Sequence, residues 1–142
     1  MIDLNYSLRV AYKTALSALS VPVYYQAVPN NTYPDNYIVF RSITNNDDSS
    51  KTCSQTVTNI TVEIHTKQDV MNQGVSADTL ARDVFNVIYP NRTEHLLING
   101  GQIMNTQCVQ DNVQDFQMES GEMFISRFLT FEHIIYQISD IS

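Results

Sequence analysis

Apolar and polar side chains alternate most regularly between Val57 and Thr66. One side of the alternation is mostly β-branched and the other is polar: Thr58, Ile60, Val62, Ile64 and Thr66 against Asn59, Thr61, Glu63 and His65. A period of two in β-branched residues predicts a strand with one face in a core. The polar run Lys67–Asp69 predicts a bend that ends this strand.

A helical pattern follows the strand and stops at Pro90. Its apolar residues recur at three- and four-residue steps: Ala77, Leu80, Ala81, Val84, Val87 and Ile88. This spacing predicts an amphipathic helix that the proline ends. The strand and the helix have the two cleanest apolar faces of the chain. We therefore expect them to pack together, through Ile60, Val62 and Ile64 on the strand and Leu80, Val84 and Ile88 on the helix.

The rest of the chain shows further extended and helical patterns. The predicted elements are a helix over Leu4–Leu19 and strands over Val23–Tyr25, Tyr37–Thr44, Ile103–Val113 and Met123–Ile138. The last strand changes its apolar face near Glu132–His133, which predicts a β-bulge or a strand that passes between sheet regions. The order of elements predicts an α+β fold, with a mostly antiparallel sheet of about four to five strands and two helices packed on it. A length of 142 residues fits a single domain over 1–142.

The most polar run of the chain is predicted to be an exposed hairpin loop, because it has nothing to contribute to a core. It lacks the alternating ligands, central glycine and distal glutamate of an EF-hand. We expect the loop to become ordered on assembly and to contact a partner. These candidate contact residues are Asn45, Asn46, Asp47, Asp48, Ser49, Ser50 and Lys51.

The charge and the cysteine content narrow the function classes. A net charge of -7, from 15 acidic and 8 basic residues, argues against a general nucleic-acid binder and against docking on an anionic membrane. No apolar run approaches the length of a bilayer span, and Met1–Asn5 lacks the pattern of a secretory signal. We therefore expect folding in a cytoplasm, with Cys53 and Cys108 as free thiols.

No motif in the chain indicates catalysis. His65, His95 and His133 are scattered, and each is expected to be a surface or edge residue because no phosphate loop, nucleophile elbow or metal motif accompanies it. The chain is predicted not to be an enzyme, with a small hydrolase that uses His65 or His133 as the alternative. The eight tyrosines fit subunit interfaces or the rim of the core equally well.

Several segments stand in an order known from one protein family. The N-terminal helix leads to Val21–Tyr25 (VPVYY), and the proline-containing segment Asn31–Phe40 follows. The strand Asn59–Thr66 has His65 near its end. A helix over Ser76–Tyr89 and a final strand over Gly121–Tyr136 complete the series. In this order the chain resembles the tail-terminator, or tail-completion, proteins of tailed bacteriophages.

The resemblance implies a structural protein that forms a ring, commonly a hexamer, at the head-proximal end of a phage tail. Such a ring stops growth of the tail tube and presents a surface for joining the head. Its implied partners are further copies of itself, the tail tube protein and a head-completion or neck protein, with no membrane involved. It implies no cofactor and no catalytic residue. The implied location is the tail–neck junction of the virion, after assembly in the bacterial cytoplasm.

Two alternatives stay open beside this interpretation: a neck or head-closure ring protein, and a non-viral adaptor domain that binds a partner peptide. The negative charge also has two interpretations. In a ring it suits a lumen through which genomic DNA slides without specific binding, with Asp47 and Asp48 or Glu119 and Glu122 on the inner wall. Otherwise it only keeps the free subunit in solution.

Overall fold

A five-stranded sheet with helices on one face organises the described part of the chain. The computed structural model describes residues 4–29, 35–47, 55–69, 75–91, 94–117 and 122–137. The elements are α1 (Leu4–Leu16), β1 (Val23–Tyr25), β2 (Asn36–Asp47), β3 (Gln55–Asp69), α2 (Val75–Ile88), β4 (Gly101–Gln117) and β5 (Glu122–Gln137). The strands lie in the order β1-β2-β3-β5-β4. The β1–β2 pair is parallel and the other pairs are antiparallel, which confirms the predicted α+β fold.

The core lies between the helices and the central strands. On β3, every second residue from Thr58 to Thr66 is buried, as the alternation predicts. Both helices place their apolar stripes against this face of the sheet, which removes the apolar surface of each element from water. One buried cluster contains all six residues expected to pair: Ile60, Val62, Ile64, Leu80, Val84 and Ile88. The same cluster includes Leu8, Tyr12 and Leu16 of α1.

Two strands continue beyond their predicted ends. Asn45, Asn46 and Asp47 pair with β3, so the predicted hairpin loop is wrong for these three residues. The predicted bend at Lys67–Asp69 is also wrong, because β3 continues through Asp69 and pairs there with Glu122. The ladder is built from backbone groups, so polar side chains do not stop it where a neighbouring strand is available. The remaining predicted loop residues, 48–51, lie outside the described residues.

The first helix is shorter than predicted and ends at Leu16. The amide of Ser17 still bonds to the carbonyl of Lys13, but the amides of Ala18 and Leu19 bond to the carbonyls of Ala15 and Leu16. These last two bonds span three residues instead of four, so the chain tightens into a turn before Pro22.

The face change predicted for the last strand is wrong. Met123, Ile125, Leu129, Phe131, His133 and Ile135 are all buried, so one face of β5 points inward along the whole strand, with the half-buried Arg127 in the same row. The pattern looks broken in the sequence because Arg127 and His133 stand in this inward row. The register irregularities of this strand pair lie on β4 instead. Met104 and Val109 are extra residues there with no partner opposite on β5, as in a β-bulge.

Candidate functional site

A chain of polar side chains crosses the buried side of the sheet. His133 is 0% exposed and shares hydrogen bonds with the Tyr12 hydroxyl at Nε2 and with Thr106 Oγ1 at Nδ1, the second at 3.0 Å. His95 Nδ1 lies 3.2 Å from the same Thr106 oxygen. Burial, together with the nearby His95, lowers the pKa of His133 to about 4. The imidazole is therefore neutral near pH 7, and both of its nitrogens have partners.

The prediction that every histidine is a surface or edge residue is wrong for His133. Its side chain fills a core position between α1 and the sheet, where its edge also meets the Tyr12 ring at a centroid distance of 5.4 Å. Burial raises the pKa of Tyr12 well above its usual value, with Cys108 adding to the effect, so the phenol keeps its proton. A fully buried imidazole cannot reach a substrate in solution. The arrangement fits a structural network and not a general base.

A second polar cluster lies on the opposite face of the sheet. His65 Nδ1 is 2.8 Å from Ser126 Oγ, and His65 Nε2 is 3.1 Å from Glu63 Oε1. The other oxygen of Glu63 accepts from Arg41 Nε at 2.5 Å. Burial raises the pKa of Glu63, but the hydrogen bond to His65 and the charge of Arg41 outweigh it and hold the pKa below its usual value. The Tyr37 ring stacks on the imidazole at a centroid distance of 4.8 Å.

The order Ser126–His65–Glu63 superficially matches a nucleophile, a base and an acid. However, Ser126 lies within β5, between its pairing partners His65 on β3 and Gln114 on β4. The backbone amides around it belong to the strand ladders, so they do not converge on a developing oxyanion. Arg41 also binds the carboxylate that would orient the base. The cluster is better explained as a set of cross-strand pairs that stabilises the sheet.

Sequence reasoning missed this cluster because its members are far apart in the chain. The alternation on β3 places Glu63 and His65 on one face, but only the register of β3 against β5 brings Ser126 opposite His65. The available signal is that a serine and a histidine lie at outward positions of two strands predicted to be in one sheet. That signal does not fix a register.

The described residues contain neither a metal-binding group nor a membrane-spanning helix. Within residues 4–29, 35–47, 55–69, 75–91, 94–117 and 122–137, no group of three or more His, Cys, Asp or Glu side chains could hold a metal ion. No helix in these ranges is both long and apolar enough to cross a membrane. Cys108 is a free thiol, as expected, and burial raises its pKa, so the unreactive protonated form is favoured. Cys53 lies outside the described residues.

The expected partner-contact residues are only partly described, and their role stays a prediction. Asn45, Asn46 and Asp47 end β2 at the β3 side of the sheet, and 48–51 are not described. Of the acidic residues expected on an inner wall, Glu122 begins β5, and Asp48 and Glu119 lie outside the described ranges. The tyrosines divide between settings: Tyr12 is in the core, Tyr24, Tyr25 and Tyr37 are half-buried, and Tyr6 is exposed.

Two opposite ends of the sheet remain accessible. At the β1 end, α1 and β1 form a groove of about 410 Å³, called here the α1–β1 groove and lined by Tyr6, Arg9, Val10, Lys13, Tyr25 and Phe40. Arg9 donates to the Tyr25 hydroxyl at 2.9 Å, and Lys13 Nζ donates to the Val23 carbonyl. At the other end, β4 pairs only with β5 among the described strands, and its side chains from Val109 to Asp115 are exposed.

The fold is shared with a virion protein of known structure. No protein-family model and no curated protein matches the chain. Among solved structures, the chain is similar to one from the virion of a native gene transfer agent particle, with 18% sequence identity and a TM-score of 0.71. The match covers 96% of this chain and 99% of that chain. At this identity the likeness shows a common fold over almost the whole length.

Proposed function

We propose that this protein is a structural component of a phage virion, and specifically a tail terminator. It forms a ring at the head-proximal end of the tail, ends growth of the tail tube and joins the tail to the head. The observation that carries the proposal is the shared fold with a virion protein over 96% of this chain and 99% of the other. The order of helices and strands that resembles tail terminators supports the more specific assignment.

The architecture suits a ring subunit. In a cyclic assembly each subunit meets its two neighbours through two different surfaces. The sheet has accessible surfaces at opposite ends, the α1–β1 groove and β4. The two polar clusters lack the features that catalysis requires, which supports a role without enzymatic activity. The proposed partners are further copies of the chain, the tail tube protein and a head-completion or neck protein, and no cofactor is involved.

The negative charge fits the passage of genomic DNA through such a ring. A basic lumen would bind phosphates through counterion release, and each contact would repeat around the ring. With a net charge of -7, we expect purified rings not to retain duplex DNA at about 0.15 M salt, where weak contacts between exposed charges are already screened. Retention at that salt concentration would contradict the conduit role without contradicting the ring itself.

The decisive experiment tests both the assembly of rings and the termination of tail-tube growth. The purified chain is analysed by size-exclusion chromatography with light scattering and by negative-stain electron microscopy, where rings are expected. Rings are then added to polymerising tail tube protein, and tube lengths are measured with and without them. The proposal expects shorter tubes with a ring at one end. A chain that neither forms rings nor binds tube ends would overturn it.

Other outcomes of the same experiment identify the alternatives. Rings that bind a head-completion protein but leave tube length unchanged would indicate a neck or head-closure protein. A monomer that binds a peptide with no effect on tubes would indicate an adaptor domain. The fold alone does not decide between these alternatives, so the choice depends on what the protein binds.

A further inference from the structure

The charges of the chain are separated between the two ends of the sheet. The helix α1, Leu4–Leu16, contains two cations, Arg9 and Lys13, and no carboxylate. The strand β4, Gly101–Gln117, contains two carboxylates, Asp111 and Asp115, and no cation. The positive helix is notable in a chain of net charge -7. Because β1 and β4 are the two edges of the sheet, the two charge sets lie toward opposite edges within one subunit.

Each charged end also exposes apolar surface. Beside the cations in the α1–β1 groove, Tyr6 is 60% and Val10 is 46% exposed. On β4, Val113 is 58% exposed and lies between the two carboxylates. Asp111, Val113 and Asp115 pair with Leu129, Arg127 and Ile125 of β5 and therefore share the helix-bearing face of the sheet. We call these three residues the β4 acidic row.

The spacings of the two charge sets differ, so a single cation and a single carboxylate are expected to meet. Asp111 and Asp115 stand four residues apart on a strand, a separation of about 13 Å. Arg9 and Lys13 stand one helical turn apart, about 6 Å along α1, and Arg9 is already bonded to the Tyr25 hydroxyl. With Lys13 at Asp115, the apolar stem of Lys13 and Val10 would lie beside Val113.

One charge on each surface has no ion-pair partner among the described residues. In the part of the chain that the structure describes, Asp115 has no ion-pair partner, whereas Asp111 accepts from Arg127 at 3.0 and 2.8 Å. Lys13 binds the Val23 carbonyl and has no carboxylate partner among the described side chains. That bond also covers an outward carbonyl at the β1 edge, so a contact here uses side chains and does not extend the sheet at Val23.

We propose that the α1–β1 groove of one subunit receives the β4 acidic row of a second copy of this chain, with Lys13 facing Asp115 across the interface. Because the two surfaces differ and lie at opposite ends of the sheet, the contact is head to tail and continues from copy to copy. The proposal rests on the proposed function in that it requires copies of the chain to assemble. It goes further by naming the two surfaces and their charge pair.

Charge reversal with mixing tests the interface. Lys13→Glu and Asp115→Lys are made separately, and a fold check by circular dichroism and urea denaturation accompanies each. Each variant alone opposes like charges at every contact, so the concentration for half-maximal assembly should rise at least about tenfold. Arg82→Glu, at an exposed position of α2, makes the same charge change as Lys13→Glu at a residue that belongs to neither surface, and it should leave assembly unchanged.

Mixing the two variants gives the sharper result. In an alternating ring, Glu at position 13 of one variant meets Lys at position 115 of the other, and the second type of contact is wild type. An equimolar mixture should therefore recover rings that neither variant forms alone. Recovery of discrete dimers only would indicate a reciprocal two-fold contact and would overturn the head-to-tail arrangement.

The outcomes also separate this inference from the proposed function. If the wild-type chain forms rings and both single variants form them equally well, the interface is wrong and the ring function stands. A mixture that fails to assemble, with both variants folded, would likewise overturn the pairing of Lys13 with Asp115. A wild-type chain that stays monomeric and does not bind tube ends would contradict the proposed function and remove the basis of the inference.

Discussion

The buried His133 should make folding stability depend on pH. Its imidazole is fully buried between Tyr12 and Thr106 and is held neutral, with a pKa of about 4 against 6.5 for a free histidine. In the unfolded chain the same side chain takes up a proton as the pH falls through 6.5. The unfolded state then binds more protons than the folded state, so acid destabilises the fold. The stability contribution is complete above pH 6.5 and is lost as the pH falls toward 4.

The magnitude follows from the difference between the two pKa values. A shift of one pKa unit corresponds to about 1.4 kcal/mol, so the full effect is about 3 kcal/mol. Between pH 7 and pH 5 the free energy of unfolding should fall by about 2 kcal/mol through this histidine alone. That is a large fraction of the stability of an ordinary domain, about 5–15 kcal/mol.

Urea denaturation at pH 7, 6 and 5 measures this effect, at a protein concentration low enough to keep the chain monomeric. The comparison protein is His133→Gln, whose amide can still hydrogen-bond to both neighbours but takes up no proton. It should be less stable at pH 7 and lose about 2 kcal/mol less than the wild type between pH 7 and pH 5. Glu63 titrates in both proteins, so its effect cancels in the difference. Equal pH slopes for the two proteins would refute the reasoning.

Three further results are expected. Val84→Ala removes buried methyl groups from α2 and should lower the free energy of unfolding by about 1–3 kcal/mol in urea, while Thr79→Ala at an exposed position should change it little; equal midpoints would contradict the packing. Thr106→Val removes the partner of His133 Nδ1 and should cost about 1–3 kcal/mol, and an unchanged midpoint would show that this hydrogen bond contributes nothing. His65→Ala should abolish no ester or peptide hydrolysis; a reproducible turnover lost in that variant would overturn the assignment as a non-enzyme.

The strongest sequence patterns correctly identified the core of this fold. The alternation on β3 and the helical spacing on α2 were sufficient to place six residues in one cluster, because each pattern presents an apolar face that must be covered. Strand ends were harder to predict. The residues Asn45–Asp47 and Lys67–Asp69 are polar, yet they pair through backbone groups that any side chain permits.

The polar clusters could not be predicted from the sequence. His133 sits at an inward position of an otherwise apolar row, and nothing local distinguishes it from an exposed histidine. Its burial is possible because Tyr12, 121 positions earlier, and Thr106 supply its hydrogen bonds. The pairing of His65 with Ser126 likewise depends on register, which the sequence leaves open.

The two irregular positions on β4 have a consequence for the newly made subunit. A long strand at a sheet edge, rich in amides and without lysine or proline, is a template for amyloid-like stacking. Met104 and Val109 interrupt its regular pairing and leave the stretches 101–103 and 105–108, each shorter than the six or seven residues that a steric zipper needs. The longer stretch, 110–117, contains both aspartates, whose charges would repel one another in stacked copies. The β4 edge of a free subunit is therefore protected from seeding fibrils until it binds a specific neighbour.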